Sequence, residues 1–238
     1  MGRAHEVRAA SMAKTAAAKS KLNAKWGRAI YVAAKSGDPD PEMNQTLKKT
    51  IEAAKREQCT ADVIKRAIEK AKGGTGESYS FERYEGIGPA NSWWIVDCLT
   101  DNHNRTLTAI RTAFSKTGGT LGSVLYNFTN KAVFSFDGED PDAVMELLLE
   151  NDCDIEDVQL DDGVITVFAP KTEYDKVREV LTSNNPEINF LEDHTTWIPS
   201  TYVKLTDDHE KNKFDHLMQL LDECDDVQDV YHNIEMGE

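Results

Sequence analysis

The spacing of apolar residues predicts a long helix near the start of the chain. The stretch 11–36 is rich in Ala and Lys, which favour helices, and it contains no proline. Its apolar residues recur about every 3.6 positions, as they do on one face of a helix. The members of this apolar stripe are Leu22, Trp26, Ala29, Ile30 and Ala33. We expect Gly37 and the Asp-Pro-Asp-Pro turn at 38–41 to end the helix.

Two shorter amphipathic helices are predicted after this turn. The second helix is expected to bury Met43, Leu47, Ile51 and Ala54. Thr60 is expected to cap the third helix. The apolar set of that helix is Val63, Ile64, Ala67, Ile68 and Ala71. The glycine-rich stretch 73–76 has the composition of a linker, so a small helical domain is predicted over residues 1–76.

Beyond residue 80 the pattern changes to short strands that alternate with helices. Strands or extended segments are predicted at 92–99, 123–128, 132–136, 154–160, 164–168, 187–192, 196–205 and 226–234. Helices are predicted at 104–117, after Asp140, after Thr172 and after 206–208. The Asp-Asp-Gly sequence at 161–163 predicts a hairpin turn between two of the strands.

This order of elements predicts an α+β fold with three domains. The segment 131–195 has the order β-α-β-β-α-β of a ferredoxin-like module. The flanking segments, 80–130 and 196–238, supply a second α/β domain, into which the ferredoxin-like module is inserted. The predicted architecture is therefore an N-terminal three-helix domain followed by two α/β domains, one of them inserted in the other.

Composition excludes several classes of protein. The chain has 238 residues, of which 39% are hydrophobic, and this is enough apolar material to form a core. No apolar run approaches the ~18 residues of a membrane span, and the N-terminus has no apolar signal region. Four scattered cysteines form no C-x-x-C pair: Cys59, Cys98, Cys153 and Cys224. We expect them to be reduced thiols in a cytoplasmic protein that does not associate with membranes.

The formal net charge of −15 conceals a strong asymmetry along the chain. Residues 1–76 carry 16 Lys and Arg against 8 Asp and Glu, a net charge of +8. Residues 77–238 carry 11 Lys and Arg against 34 Asp and Glu, a net charge of −23. We call residues 1–76 the basic head and residues 77–238 the acidic body. This asymmetry indicates a polyanion-binding site on the basic head.

The best candidate for that site is a basic stripe on the first helix. Its cations are Lys14, Lys21, Lys25, Arg28 and Lys35, which fall within an arc of about 80° on a helical wheel. Arg3 and Arg8 precede the helix in a segment that could act as a flexible arm. Cations that converge on one face are what phosphate contacts require, although a solvated basic face would have the same pattern.

Two loops in the acidic body form a second candidate surface. The first, 100–106, includes Asn102, Asn104, Arg105 and Thr106, and it precedes a helix whose free N–H groups could bind an anion. The second, which follows the same helix, contains Lys116, Thr117, Gly118 and Gly119, and its glycines permit a backbone nest for a phosphate. Cap and turn chemistry would explain both loops equally well, and they flank opposite ends of the helix.

Signatures of common enzymes are missing from the sequence. There is no G-x-S-x-G, H-E-x-x-H or Walker A motif, and the six histidines are well spread. An enzyme that uses Asp101, His103 and Arg105 for acid–base chemistry is one alternative, with loop capping as the simpler explanation. We therefore expect no catalytic residues, no metal and no cofactor.

Recognisable motifs occur in order along essentially the whole chain: 67–74, 84–89, 99–106, 114–119, 122–124 and 226–233. They resemble the motifs of the YebC family, which includes the mitochondrial translational activator of cytochrome c oxidase I. Gly2-Arg3 and the turn at 38–41 are most similar to the YeeN-type branch. Two features depart from the family pattern: Ala90-Asn91 stands where the family usually has Gly-Gly, and the loop between Leu121 and Gly122 is shortened.

The resemblance implies a helical domain and two α/β domains, one inserted in the other, in a cytoplasmic regulator of gene expression without enzymatic activity. Family members are described both as ribosome-associated translation factors that assist synthesis of proline-rich stretches and as DNA-binding transcriptional regulators. The family's basic helical domain maps onto Arg3 to Lys35, and its central loops map onto 102–106 and 116–119.

The basic head and the family resemblance indicate two alternative nucleic-acid partners. Ribosomal RNA is favoured, because an acidic body would be repelled by a long duplex unless it were held away from it. Promoter DNA is the alternative, although a lysine stripe supplies mainly phosphate contacts and sequence specificity requires contacts to base edges. We expect the protein to act as a monomer.

Overall fold

A computed structural model describes residues 21–73 and 78–235. The predicted site residues Arg3, Arg8 and Lys14 lie outside the described residues. The described chain forms two compact units: the first comprises residues up to Ser123 together with Leu205–His232, and the second comprises Val124–Lys204 with residues 233–235. Three N-terminal helices followed by two four-stranded antiparallel sheets confirm the predicted mixed α and β fold class.

The helical segment of the first unit consists of α1 (residues 21–35), α2 (Gln45–Arg56) and α3 (Ala61–Lys72). Its core includes the predicted residues Trp26, Ile30, Ala33, Leu47, Ile51, Ala54, Ile64 and Ala67. The prediction was wrong for Met43, whose side chain is 75% exposed because it precedes the N-cap Asn44 and lies in the turn. Thr60 occupies the predicted N-cap position of α3, but its side chain makes no capping hydrogen bond.

The first sheet has the strand order β3-β1-β2-β8. Its strands are β1 (Ser80–Ile87), β2 (Trp93–Thr100), β3 (Thr120–Leu121) and β8 (Val227–His232). Helix α4 (His103–Lys116) joins β2 to β3, and α7 (Asp208–Asp222) precedes β8. Strand β1 was not predicted from the sequence.

The second unit has the predicted order β-α-β-β-α-β. Its elements are β4 (Phe128–Asp137), α5 (Pro141–Glu150), β5 (Asp157–Asp161), β6 (Val164–Pro170), α6 (Tyr174–Asn184) and β7 (Phe190–Pro199). The sheet order is β5-β6-β4-β7, and each neighbouring pair is antiparallel. The predicted hairpin turn is confirmed, with positive φ angles of 47° at Asp162 and 80° at Gly163.

The ends of this unit differ from the predicted elements. Residues 123–128 do not form the predicted strand, because Leu125–Asn127 is a 3-10 turn and β4 starts at Phe128. The segments 187–192 and 196–205 were predicted as separate extended pieces, but β7 (Phe190–Pro199) joins the end of the first to the start of the second and pairs with β4 from Phe128↔Pro199 onwards. Thr172 lies in a 3-10 turn before α6 and does not cap that helix.

A tight turn between β1 and β2 shows where the chain departs from the family pattern. Ala90 has φ 52° and Asn91 has φ 57°, both in the left-handed region that favours glycine. The N–H of Ala90 donates to Glu210 on α7 at 2.7 Å, which fixes the turn against that helix. The two residues thus adopt backbone angles that suit the Gly-Gly of the family.

Replacing Ala90 with glycine is therefore expected to stabilise the protein. The left-handed conformation costs an L-residue about 1–2 kcal/mol, and glycine avoids this cost. Part of the gain in stability is lost because glycine gives the unfolded chain a larger conformational entropy. We expect the free energy of unfolding, measured by urea denaturation, to rise by roughly 0.5–1 kcal/mol. The matched control is Ala109→Gly on the exposed side of α4, which should lower it by about 1 kcal/mol. Equal changes for the two variants would contradict the prediction.

Within residues 21–73 and 78–235, no helix has both the length and the apolar composition needed to cross a membrane.

Candidate functional site

Three cations of the predicted basic stripe lie on α1 where it faces the end of α7 and the edge of β8. Lys21 forms an ion pair with Asp222. The Nζ atom of Lys25 lies 2.8 Å from Oδ1 of Asp229. Arg28 extends the same row by one helical turn. The spacings of four and three residues place all three side chains on one helix face, and each cation meets an anionic oxygen of the acidic body.

Arg28 makes the innermost contacts of this row. Its Nη1 atom donates to the backbone carbonyl of Asp225 and lies 3.3 Å from Oδ1 of Asp226. The guanidinium group also lies over the ring of Tyr79, 5.8 Å from the ring centroid. The Asp226 side chain is only 6% exposed, so this contact is better shielded from water than the two lysine pairs.

Asp226 is also bound by the predicted loop that precedes α4. The Nη2 atom of Arg105 lies 3.0 and 2.8 Å from the two carboxylate oxygens. The hydroxyl of Thr106 donates to Oδ2 at 2.7 Å, and that of Thr100 lies 3.4 Å from the same oxygen. The basic stripe and the first loop of the second candidate surface, which were predicted separately, therefore meet at one carboxylate.

The environment of Asp226 stabilises its charged form. Burial alone would raise the pKa of this carboxyl group. Hydrogen bonds from Arg105 and Thr106, together with the positive charges of Arg105 and Arg28, outweigh burial and hold the pKa below its usual value. The same contacts raise the pKa of the Arg105 guanidinium, mainly through its hydrogen bonds to Asp226 and Asp101. The network therefore remains fully charged at neutral pH.

The other predicted residues of this loop have local roles. Asn102 is the N-cap of α4: its Oδ1 accepts from the N–H of Arg105 at 3.1 Å. The N–H of Asn102 donates to the hydroxyl of Thr100 at 2.9 Å, which places that hydroxyl next to Asp226. Asn104 is exposed, and its carbonyl accepts from Thr108 at 2.7 Å. Asn102 thus orients the Asp226 network, whereas Asn104 lies on the surface of α4.

The second predicted loop, Lys116–Gly119, forms the C-terminal end of α4. The N–H groups of Thr117 and Gly119 donate to the carbonyl of Phe114 at 3.1 and 2.8 Å, and that of Gly118 donates to a carbonyl three residues back at 3.2 Å. Gly118 supplies the positive φ of 79° that the turn requires. Because these amides are engaged and a helix C-terminus carries partial negative charge, this geometry favours capping over anion binding.

Lys35, the last cation of the stripe, contacts the helical segment itself. Its Nζ atom donates to the hydroxyl of Tyr31 at 2.9 Å and lies 5.3 Å from the centroid of the same ring. Lys70 of α3 approaches this ring as well, with its Nζ atom 5.6 Å from the centroid. Lys35 therefore interacts with an aromatic residue of its own helix.

Asp101 and His103 of the alternative acid–base cluster contact different partners. The carboxylate of Asp101 lies 2.8 Å from Arg105. His103 instead stacks on Tyr84, with ring centroids 6.5 Å apart, and its Nδ1 lies 3.4 Å from Glu82. In the part of the chain that the structure describes, no group of three or more His, Cys, Asp and Glu is arranged to hold a metal ion.

The acidic half of this site was not predicted from the sequence. Asp222, Asp226 and Asp229 stand in a strongly acidic C-terminal region, where one carboxylate cannot be told from another by composition. The contact of Arg105 with Asp226 spans 121 residues, so no helical or strand spacing reveals it. The resemblance did include the segment 226–233, but it gave no role to Asp226.

The exposed ion pair of Lys21 with Asp222 is one that a competing anion can displace. The side chains of Lys21 and Asp222 are 33% and 76% exposed, and exposed pairs typically contribute about 0–1 kcal/mol each. Salt screens such pairs, with a Debye length of about 8 Å at physiological ionic strength. Lys21 can therefore exchange its internal carboxylate for an external anionic oxygen.

Comparison with known proteins agrees with this architecture. Residues 3–74 match the family model described as "TACO1/YebC protein N-terminal domain", and residues 79–234 match "TACO1/YebC second and third domain". A probable transcriptional regulatory protein of Acholeplasma laidlawii is 53% identical over 237 residues, with 98% of each chain covered. One of Pseudoalteromonas translucida is 51% identical over 236 residues, again with 98% of each covered.

A solved structure is similar along nearly the whole chain as well. The crystal structure of a conserved hypothetical protein from Aquifex aeolicus superimposes with a TM-score of 0.74 and 33% sequence identity. The match covers 92% of this chain and 91% of the other. The family suggested by the motifs is thereby confirmed: this chain belongs to the TACO1/YebC family.

Proposed function

We propose that this protein is a nucleic-acid-binding regulator of gene expression, without catalytic activity, that acts as a monomer in the cytoplasm. In this proposal it associates with ribosomal RNA as a translation factor that assists synthesis of proline-rich stretches. Its contact with nucleic acid is the helical segment. The proposed phosphate ligands are Arg3, Arg8, Lys14, Lys21, Lys25, Arg28 and Lys35.

One observation carries this proposal: Lys21, Lys25 and Arg28 on one face of α1 each hold an anionic oxygen. A helix face that accommodates a row of carboxylates has the charge and spacing to accommodate a row of phosphates. The relatives named probable transcriptional regulatory proteins are consistent with a nucleic-acid partner of some kind.

Charge distribution favours RNA at the ribosome over a DNA duplex. The acidic remainder of the chain, with a net charge of −23, would repel a long duplex lying alongside it. Insertion of the basic head alone into a cleft of ribosomal RNA avoids that repulsion. The alternative is a transcriptional regulator that binds promoter DNA through the same head, and the names of the relatives favour it.

Sedimentation of a cell lysate through a sucrose gradient tests the proposal. We expect the protein to migrate with ribosomal particles at low salt and to return to the top of the gradient at high salt, because phosphate contacts weaken steeply as salt rises. A protein that stays at the top at low salt would exclude the ribosomal function. A sequence-dependent mobility shift with promoter DNA at physiological salt would instead favour the transcriptional alternative.

A further inference from the structure

We propose that the groove between α2 and α3 is a second nucleic-acid site, which binds the sugar-phosphate backbone of single-stranded RNA. The proposal rests on the proposed function and extends it to residues outside the basic stripe. The groove has a volume of about 410 Å³. Its lining includes Ile51, Ile64 and Ile68, with Lys48, Lys55 and Lys65 on the two walls.

Two cations of this groove, Lys55 and Lys65, are available, unlike the paired cations Lys21, Lys25 and Arg28 of the stripe. Lys55 on α2 and Lys65 on α3 are exposed, and neither forms an ion pair with any residue in 21–73 or 78–235. Lys21 and Lys25 are already paired with carboxylates. A polyanion can therefore reach the groove without displacing any internal partner of Lys55 or Lys65.

Two acidic residues also line the groove and limit its charge. Glu42 lies 3.5 Å from Nζ of Lys48 and neutralises that cation. Glu52 stands on α2 between Lys48 and Lys55, four residues after one and three before the other. The net attraction for an anion thus depends on Lys55 and Lys65, and Glu52 reduces it.

The apolar floor decides which polyanion the groove fits. A duplex keeps its base faces stacked inside, so it offers little apolar surface to the lining of the groove, where Ile68 is more exposed than Ile51 and Ile64. A single strand exposes its sugars and base faces next to its phosphates. It can therefore bury apolar surface on the floor while its phosphates contact Lys55 and Lys65 on opposite walls.

Binding of a fluorescein-labelled single-stranded RNA of about 20 nucleotides, longer than the usual site size, tests this inference. Fluorescence anisotropy would be measured on the full chain over a series of KCl concentrations. The double variant Lys55→Gln/Lys65→Gln is expected to weaken binding roughly tenfold at low salt and to reduce the slope of log K against log salt by about 1.4, the value for two lost phosphate contacts. Glu52→Gln should strengthen binding, a gain that misfolding cannot produce.

The matched control is Arg66→Gln/Lys171→Gln, which removes the same charge from residues outside the groove. Unchanged binding by the groove variant, or an equal loss in the control, would overturn the groove while leaving the proposed function intact. Failure of the unmodified protein to bind any RNA would overturn both. Displacement of the RNA by polyglutamate at equal charge concentration would also overturn the RNA site. It would indicate that the groove binds an acidic protein segment.

Discussion

Substitution of Asp226 by asparagine is expected to lower the free energy of unfolding by about 2–3 kcal/mol. Removing one partner of a buried ion pair typically costs about 3–5 kcal/mol, because the remaining charge is left unpaired. The cost is lower here because the Arg105 side chain is 53% exposed and can be hydrated after the carboxylate is lost. Urea denaturation of the variant and the unmodified protein gives this difference directly.

The control for this prediction is Asp225→Asn in the same loop. Asp225 is exposed, and Arg28 contacts it at the backbone carbonyl, which the substitution retains. We expect this variant to unfold within about 0.5 kcal/mol of the unmodified protein. Similar losses for the two variants would mean that net charge, and not the network around Asp226, determines the effect.

The pH dependence of stability gives a second test of Asp226. Its pKa is lower in the folded protein than in the unfolded chain, so the carboxylate stabilises the fold fully above the unfolded pKa of about 3.9. This contribution is lost as the pH falls through the lowered folded pKa. The unmodified protein should therefore lose stability more steeply than Asp226→Asn below about pH 4.

Substitution of Gly119 by alanine is expected to destabilise the protein by about 2–3 kcal/mol. A Cβ atom at this position would lie 2.5 Å from the backbone carbonyl oxygen of Ile87 and 3.2 Å from Cα of Gly88. Because both neighbours are backbone atoms of a paired strand and its turn, the strand must move to make room. Thermal unfolding followed by circular dichroism would detect the loss.

Gly122→Ala is the matched control in the same loop. A Cβ atom there meets no heavy atom within 4 Å, and the residue does not have a positive φ. We expect its effect to stay within about 0.5 kcal/mol. If both alanine variants are equally destabilised, the close approach of Gly119 to Ile87 is not the cause.

Sequence patterns predicted the helices and the second sheet better than the first sheet. The strand Ser80–Ile87 was missed because the residues that face α4 include Glu82, Tyr84 and Gly86, which do not form an alternating apolar pattern. Gly86 is required there because a Cβ atom would lie 2.6 Å from the ring of Phe114. The close packing of a helix on this strand thus removed the apolar signal by which strands are recognised.

The candidate site was predicted only from its basic side. Lys21, Lys25 and Arg28 were found because helical spacing places them on one face. Their acidic partners follow from the tertiary fold, which brings Asp226 to both Arg28 and Arg105 across more than 100 residues of chain. Local periodicity contains no information on such distant pairs, so the sequence predicted a cationic surface but not its neutralisation.

In the proposed function, the aspartates that face α1 would make the strength of RNA binding depend on an internal equilibrium. They act as a tethered competitor, so in the proposed function the apparent dissociation constant equals the intrinsic one divided by the fraction of molecules with α1 released. A preference of about 1.4 kcal/mol for the paired state would weaken apparent binding about tenfold. Salt loosens this competitor at the same time as it weakens the phosphate contacts. The affinity of α1 for RNA should therefore fall with rising salt. The slope of this fall should be smaller than the slope expected from the number of cations on α1.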